Sequence, residues 1–249
     1  MIVLIPSRYG STRLPGKALA DIAGKSMIER VHDCARASGA RRVVVATDDR
    51  RIAAVVQGFG GEVCMTSADH RSGTDRIAEA IALLGIGADE VVVNLQGDEP
   101  LMPPALIRRV ADTLLAHPEA SMATAAHAIH DRHGFLDPNL VKLVTDCNGF
   151  ALYFSRAPIP WPRDEDARAG EYAVDALGHI GIYAYRAGFV GRYADWPQCP
   201  LERIESLEQL RVLWNGERIA VCETPQAAAR GVDTPEDLER VRAVFARGA

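Results

Sequence analysis

The sequence predicts an α/β fold: a three-layer, doubly wound sheet, mixed but mostly parallel. Short β-branched runs alternate with amphipathic helical patterns through the first half, which demands parallel βαβ crossovers. The 249 residues are 48% hydrophobic and 24% charged, an ordinary globular balance. That length fits one large α/β domain or two small ones. No internal repeat or Pro/Ser linker divides the chain, so one domain over 1–249 is expected.

Ile2-Val3-Leu4-Ile5 has the length and branching of a buried strand. Residues 6–17 follow as a loop, because Pro15 and Gly16 break any helix. Open α/β sheets bind ligands at this carboxyl edge. Backbone N–H groups with Arg8, Arg13 and Lys17 suit a polyphosphate. A plain basic turn is the alternative, but three cations directly after a first strand are costly unless an anion arrives. The loop is not a P-loop: five residues separate Gly10 from Gly16, and Ala18 follows Lys17 where Ser or Thr is needed. No GxGxxG follows a strand, which leaves a dinucleotide oxidoreductase unsupported.

Met27–Ser38 places Met27, Ile28, Val31, Cys34 and Ala35 on one helix face. Arg42–Thr47 reads as a strand, Arg50–Gln57 as a short helix closed by Gly58, and Glu62–Thr66 as a strand. Ser72–Leu84 is a helix with Ile77, Ala80, Ile81 and Leu84 inward. Val91–Leu95 is the next strand, and Pro104–His117 the helix after it. Met122–Ile129, Val141–Thr145, Ala151–Ser155 and His179–Tyr185 read as strands that add mixed or antiparallel pairings. Residues 156–176, with Pro158, Pro160 and Pro162, read as an exposed mobile loop. Ile204–Trp214 is one amphipathic helix, Ile219–Cys222 a late strand and Pro235–Phe245 the closing helix.

Candidate chemistry gathers at strand ends. Asn94-Leu95-Gln96-Gly97-Asp98-Glu99-Pro100 brings Asp98 to the same edge as the 6–17 loop. An Asp facing phosphates suits Mg²⁺, which takes only one or two protein carboxylates; an ordinary turn Asp is the alternative. In Gly231-Val232-Asp233-Thr234-Pro235, Thr234 is the N-cap and Pro235 the first helical residue. Asp233 is left unused, and spacing alone leaves open whether it supplies a second carboxylate. The turn Asp69-His70-Arg71-Ser72-Gly73-Thr74-Asp75-Arg76 reads either as a base or phosphate contact or as a helix cap with solvated arginines. His179 and Tyr183 share a strand face and could meet a sugar, or His179 is a satisfied core histidine.

The net charge of −5 gives no reason to expect nucleic acid. No apolar run reaches about 18 residues, so no membrane span is expected, and the first apolar run lacks the basic flank of a signal peptide. Five scattered Cys without a CxxC point to a reducing compartment. His127, His130 and His133 lack a Cys or carboxylate at ligand spacing, which disfavours zinc.

IPSRYGSTRLPGK, VVVATDD, EVCMTSADHRSGTDR, VNLQGDEP, ALYFSRAPIPW, HIGIYAYR, PLERIESLEQLRVLW and GVDTPEDLERVR together resemble the 3-deoxy-manno-octulosonate cytidylyltransferase (CMP-Kdo synthetase) family, in register from first strand to closing helix. The opening motif and the Gln-Gly-Asp-Glu-Pro turn are shared with sugar-nucleotide transferases generally. The His-Arg-Ser-Gly-Thr-Asp-Arg turn and the Leu-Glu-Gln-Leu-Arg helix narrow the likeness to this family.

The resemblance implies a sheet of the nucleotide-diphospho-sugar transferase type. It implies Mg²⁺-dependent transfer of CMP from CTP to 3-deoxy-D-manno-octulosonate (Kdo) for lipopolysaccharide synthesis. CTP contacts would fall in about 1–120, with sugar and dimer contacts in about 121–225. By the same likeness Arg8, Ser11 and Lys17 hold the triphosphate, with Arg13 nearby. Arg71, Ser72, Gly73 and the backbone near Pro6 and Ser7 recognise cytosine, with Gln96 at the junction of the two substrates. Asp98 and Asp233 anchor Mg²⁺, and Lys17, Arg8 and Asp98 carry the catalysis. Gln96, Arg156, His179, Tyr183, Glu208 and Gln209 line the sugar-acid site. The family acts in the cytoplasm as a homodimer.

One departure touches specificity: Gly178 stands where the family pattern has Lys or Arg beside the histidine. It keeps open another acid sugar, an 8-amino analogue of Kdo or a sialic acid. A non-catalytic CTP sensor is the alternative from another class. Nucleotide hydrolysis is disfavoured, since no GxSxG or HExxH occurs.

Overall fold

Ile2–Ser7 form β1, buried along its whole length because strands flank it on both sides and helices cover both faces. The structure, a computed structural model, describes residues 1–10, 14–70, 72–163, 176–225 and 231–247. The further strands are β2 (Asp21–Ile22), β3 (Lys25–Ser26), β4 (Arg42–Thr47), β5 (Glu62–Met65), β6 (Val91–Asn94), β7 (Met122–Ile129), β8 (Lys142–Thr145), β9 (Ala151–Ser155), β10 (Ala176–Arg186) and β11 (Ile219–Thr224). The main sheet runs β11-β7-β10-β6-β1-β4-β5, with β8 and β9 attached beside β10. Along that path β10 is antiparallel to β6 and β7, whereas β1, β4, β5 and β6 are mutually parallel, and β11 is parallel to β7. The expected three-layer, mostly parallel sheet is thus the observed one.

The helices are α1 (Met27–Ala37), α2 (Arg50–Gly58), α3 (Gly73–Leu83), α4 (Pro104–Ala116), α5 (Arg132–Leu136), α6 (Ala187–Asp195), α7 (Pro200–Glu205), α8 (Gln209–Trp214) and α9 (Pro235–Arg247). Alternate residues of β1 serve opposite faces. Val3 and Ile5 pack with Ile28 and Val31 of α1, Val56 of α2 and Ile107 of α4. Ile2 and Leu4 pack with Ile77 of α3, Phe189 of α6 and Leu210 of α8. A smaller cluster of Ile22, Met27, Val232, Leu238 and Val241 fastens α9 beside the first loop.

Two expectations need correction. The single helix over 204–214 is two, α7 and α8, broken where Ser206 adopts a left-handed conformation (φ 53°). Leu207, Leu210 and Val212 remain buried across the break, so apolar spacing persists while the axis turns. The strand at His179–Tyr185 begins earlier, at Ala176, because β7 and β8 flank its start. Most of the 156–176 loop lies outside the described residues. None of the described helices is long and apolar enough to cross a membrane.

Candidate functional site

A cleft of about 380 Å³ opens at the carboxyl edge of β1 and β6. Ser7 and Arg8 enter it from the end of β1, Gln96 to Asp98 from the turn after β6, and Ser72 and Gly73 from the start of α3. Lys17, Glu208 and Asp233 also line it. Gly97 permits this convergence: a Cβ there would sit 2.9 Å from the Pro6 carbonyl oxygen and 3.3 Å from Ser7 Cβ. Ser72 caps α3 by accepting from Asp75 N–H, which fixes the start of the helix, Ser72 and Gly73, at the cleft wall.

Lys17 follows Gly16, whose φ of 70° is left-handed and therefore favours glycine. The Gly16 N–H donates to the Tyr9 carbonyl at 3.1 Å and closes the loop. Arg51 lies 3.3 Å over the Tyr9 ring and is held in turn by the Asp49 carboxylate. Arg8 has no hydrogen-bond or ion-pair partner among the described residues and is exposed, so its guanidinium is free for an anion. Ser11, Arg13 and Arg71 lie outside the described residues.

Asp98 and Asp233, distant in sequence, meet on one ammonium. Lys17 Nζ donates to Asp98 Oδ2 at 2.6 Å, to Asp233 Oδ1 at 3.1 Å and to the Val232 carbonyl at 3.0 Å. Three devices deliver Asp233 there. Val232 N–H donates to the Asp98 carbonyl at 2.8 Å. Gly231 lies so close to the Asp98 turn that a Cβ would stand 2.8 Å from Glu99 Oε1 and 3.1 Å from the Asp98 carbonyl oxygen. The Asp237 carboxylate accepts from the N–H groups of Asp233 and Thr234, while Thr234 Oγ1 accepts from Asp237 N–H. Burial alone would lower the Lys17 pKa, but the two carboxylates outweigh it and hold the amine charged. Burial pushes the neighbouring Glu99 carboxyl up to about 8, with Asp98 and Asp233 adding to the shift.

Two carboxylates and a carbonyl oxygen around one cation are a donor set suited to a hard divalent ion. Mg²⁺ needs no more from the protein, because substrate phosphates and waters fill its remaining positions. No cluster of three or more His, Cys, Asp or Glu suited to a metal occurs among the described residues.

A small inner pocket adjoins the cleft through Glu208, and Tyr183 and Gln209 line it with Thr74, Tyr185 and Tyr193. Thr74 Oγ1 donates to Glu208 Oε2 at 2.9 Å. Burial raises the Glu208 pKa against that bond. Gln209 is 5% exposed, and its amide nitrogen has no acceptor among the described residues. Such a buried donor is costly unless a ligand or water meets it. Gln96 Nε2 reaches Asn94 Oδ1 at 3.2 Å.

His179 and Arg156 are placed differently. The His179 ring packs between Phe154 and Tyr183, with centroids at 5.1 and 5.5 Å. Thr124 Oγ1 lies 2.8 Å from the Ile182 carbonyl and 2.9 Å from His179 Nε2. A hydroxyl has one proton; donating it to Ile182, Thr124 accepts from Nε2–H, which assigns that neutral tautomer. Burial pushes the His179 pKa down to about 3, so the ring is no cation for an acid sugar. Arg156 lines neither pocket; its guanidinium donates to the carbonyls of Glu205 (2.7 Å) and Pro138 (3.1 Å). Gly178 sits opposite His127 across the β7–β10 pair, and a Cβ there would stand 2.6 Å from His127 Nε2. Strand alternation puts position 178 on the face away from His179, so this departure leaves the His179 face intact.

Sequence reasoning missed the supports. Arg76 is 3% exposed rather than solvated; it donates to Thr66 Oγ1 and the Ser67 carbonyl and pairs with Asp48 at 3.3 Å. His70 lines the cleft and bonds Glu79 at 2.6 Å. Neither pairing has a spacing signature, since each crosses between a loop and a helix.

A family model described as "Cytidylyltransferase" matches residues 2–219. A 3-deoxy-manno-octulosonate cytidylyltransferase of Aliivibrio fischeri (strain MJ11) is 58% identical over 246 residues, 98% of each chain. The protein of that name from Vibrio cholerae serotype O1 (strain M66-2) is 58% identical over 248 residues, 99% of this chain and 98% of its own. A solved CMP:2-keto-3-deoxy-manno-octonic acid synthetase complexed with CTP superposes with a TM-score of 0.91 at 43% identity, covering 100% of this chain and 99% of its own. With a nucleotide-sized cleft at the sheet edge and this likeness along nearly its whole length, the chain is a nucleotidyltransferase and belongs to the 3-deoxy-manno-octulosonate cytidylyltransferase family.

Proposed function

We propose that this enzyme transfers CMP from CTP to Kdo, releasing pyrophosphate, with Mg²⁺ held by Asp98 and Asp233. The observation that carries the reading is the meeting of these two acids and Lys17 beside the exposed Arg8, which has no partner among the described residues, at one sheet edge. Relatives at 58% identity carry the corresponding name. The sugar's anomeric hydroxyl attacks the α-phosphorus in line and pyrophosphate leaves. Little covalent work falls to the protein, so positioning and charge stabilisation dominate.

Arg71, Ser72, Gly73 and the backbone at Ser7 hold the cytosine end, with Arg8, Ser11 and Arg13 of the 6–17 loop at the phosphates. Arg8 neutralises charge on the departing pyrophosphate. Gln96 stands between the two substrates. Tyr183, Glu208 and the unpartnered Gln209 amide bind sugar hydroxyls in the inner pocket, while neutral His179 orients Tyr183 rather than pairing with a carboxylate. Mg²⁺, when bound, supplies Lewis-acid polarisation of phosphoryl oxygens. We read the chain as one catalytic domain, working as a cytoplasmic homodimer in lipopolysaccharide synthesis.

The test is pyrophosphate release with each of four nucleoside triphosphates against Kdo, its 8-amino analogue and a sialic acid, with and without Mg²⁺. CTP with Kdo and Mg²⁺ is expected to be fastest, and Asp98→Asn to lose at least about 10²-fold in turnover. Preference for another acid sugar would reassign the substrate. CTP binding without pyrophosphate release would make the protein a sensor, and a near wild-type rate for Asp98→Asn at saturating Mg²⁺ would remove Asp98 from the mechanism.

A further inference from the structure

We propose that Lys17 is the resident cation of the two-acid site and must leave it before a divalent ion can enter, so that nucleotide and metal load together. The inference rests on reading Asp98 and Asp233 as the metal-holding acids, and it changes what Lys17 does before substrate arrives.

An ammonium has three protons, and all three are spent on protein oxygens: Asp98 Oδ2 at 2.6 Å, Val232 O at 3.0 Å and Asp233 Oδ1 at 3.1 Å. None is left for a phosphate. Arg8, by contrast, has no partner among the described residues and is available for first contact with an anion. The oxygens that surround the ammonium are those a divalent ion would use, so the two cations exclude one another by occupancy and by repulsion. Without either cation, two carboxylates brought together by the Val232–Asp98 backbone bond would repel.

A triphosphate changes the balance by offering the amine another anionic partner. Lys17 can make that exchange. It opens a single 3₁₀ turn, Lys17–Leu19, directly after the left-handed Gly16, and its four-carbon stem is flexible. Triphosphate binding therefore frees the acids, and metal binding frees the amine for phosphate. Such coupling is reciprocal.

The experiment is Mn²⁺ binding, followed by the electron paramagnetic resonance of the free ion, for the wild type, Lys17→Gln and Lys17→Arg. Without nucleotide, Lys17→Gln is expected to bind Mn²⁺ at least about tenfold more tightly than the wild type, whereas Lys17→Arg, which keeps the charge, stays weak. Equal nucleotide-free affinities for the wild type and Lys17→Gln, with CTP-dependent Mn²⁺ binding intact, would overturn the inference and leave the metal reading standing. Absence of Mn²⁺ binding to the wild type even with CTP, or binding that Asp98→Asn leaves unchanged, would overturn the metal reading as well. Should Lys17→Gln fail to fold, the wild type still decides. The ¹⁵N resonance of the Lys17 amine is expected to shift on saturation with Mg²⁺ alone, and an unmoved resonance overturns the inference.

Discussion

Replacing Arg211 by Met should destabilise the protein severely, and removing its partner at the same time should restore most of the loss. Arg211 and Glu202 form a nearly buried pair, 7% and 3% exposed. The guanidinium reaches both carboxylate oxygens at 2.5 and 2.7 Å, donates to the Trp196 carbonyl at 3.2 Å and lies 4.5 Å over the Tyr193 ring. Arg211→Met leaves the Glu202 charge buried and uncompensated, a loss of about 3–5 kcal/mol. At about 2–4 °C per kcal/mol for a chain of this length, melting should fall by roughly 6–20 °C. Glu202→Leu combined with Arg211→Met removes both desolvated charges and should recover at least about half of that. Urea unfolding of the four members of the cycle measures the coupling. Because the pair ties α7 to α8, whose first residue is Gln209, Arg211→Met should raise KM for the acid sugar more than KM for CTP. A double variant no more stable than Arg211→Met would refute the reasoning.

Gly97→Ala should lower kcat/KM for CTP by about 10²-fold, because the added Cβ meets backbone and must displace the end of β1. Gly181→Ala, where a Cβ meets nothing within 4 Å, is the control and should leave it unchanged. His179, with a folded pKa of about 3 against an ordinary value near 6.5, binds fewer protons folded than unfolded across that window. Its stabilisation is complete above about pH 6.5 and is lost as pH falls toward 3, with a slope approaching about 1.4 kcal/mol per unit. Unfolding free energies of the wild type and His179→Asn between about pH 7 and 4.5 should therefore converge; parallel curves would refute the assignment.

The signals that made the fold legible are local ones. β1, β4 and β6 are β-branched runs buried from both faces, and the caps at Ser72 and Thr234 announce their helices within four residues. Ser206 is different. The apolar spacing of Leu207, Leu210 and Val212 continues across it, and nothing in its neighbours demands φ of 53°. The break is imposed from outside: the Glu205 carboxylate accepts from Ser155 Oγ and Arg156 N–H at the end of β9. Arg156, which the family likeness puts at the sugar, belongs to the same corner and donates two guanidinium bonds there, to the Glu205 and Pro138 carbonyls.

The site was legible by residue type and obscure by pairing. A basic loop after a first strand speaks for an anion, and an acidic turn after β6 speaks for a cation. Neither statement says what the two do to each other without substrate. Asp233 could not be assigned from spacing, because its delivery depends on a glycine contact and one backbone bond to Asp98, both formed across the fold. Once it is delivered, charge balance requires a cation between the two acids. The nearest is Lys17, so the residue that looked like a phosphate ligand first serves the carboxylates. The same physics explains Gly178: its departure from the family pattern sits beside His179 in sequence, but the alternation of a strand turns the two to opposite faces, where His127 closes over the glycine.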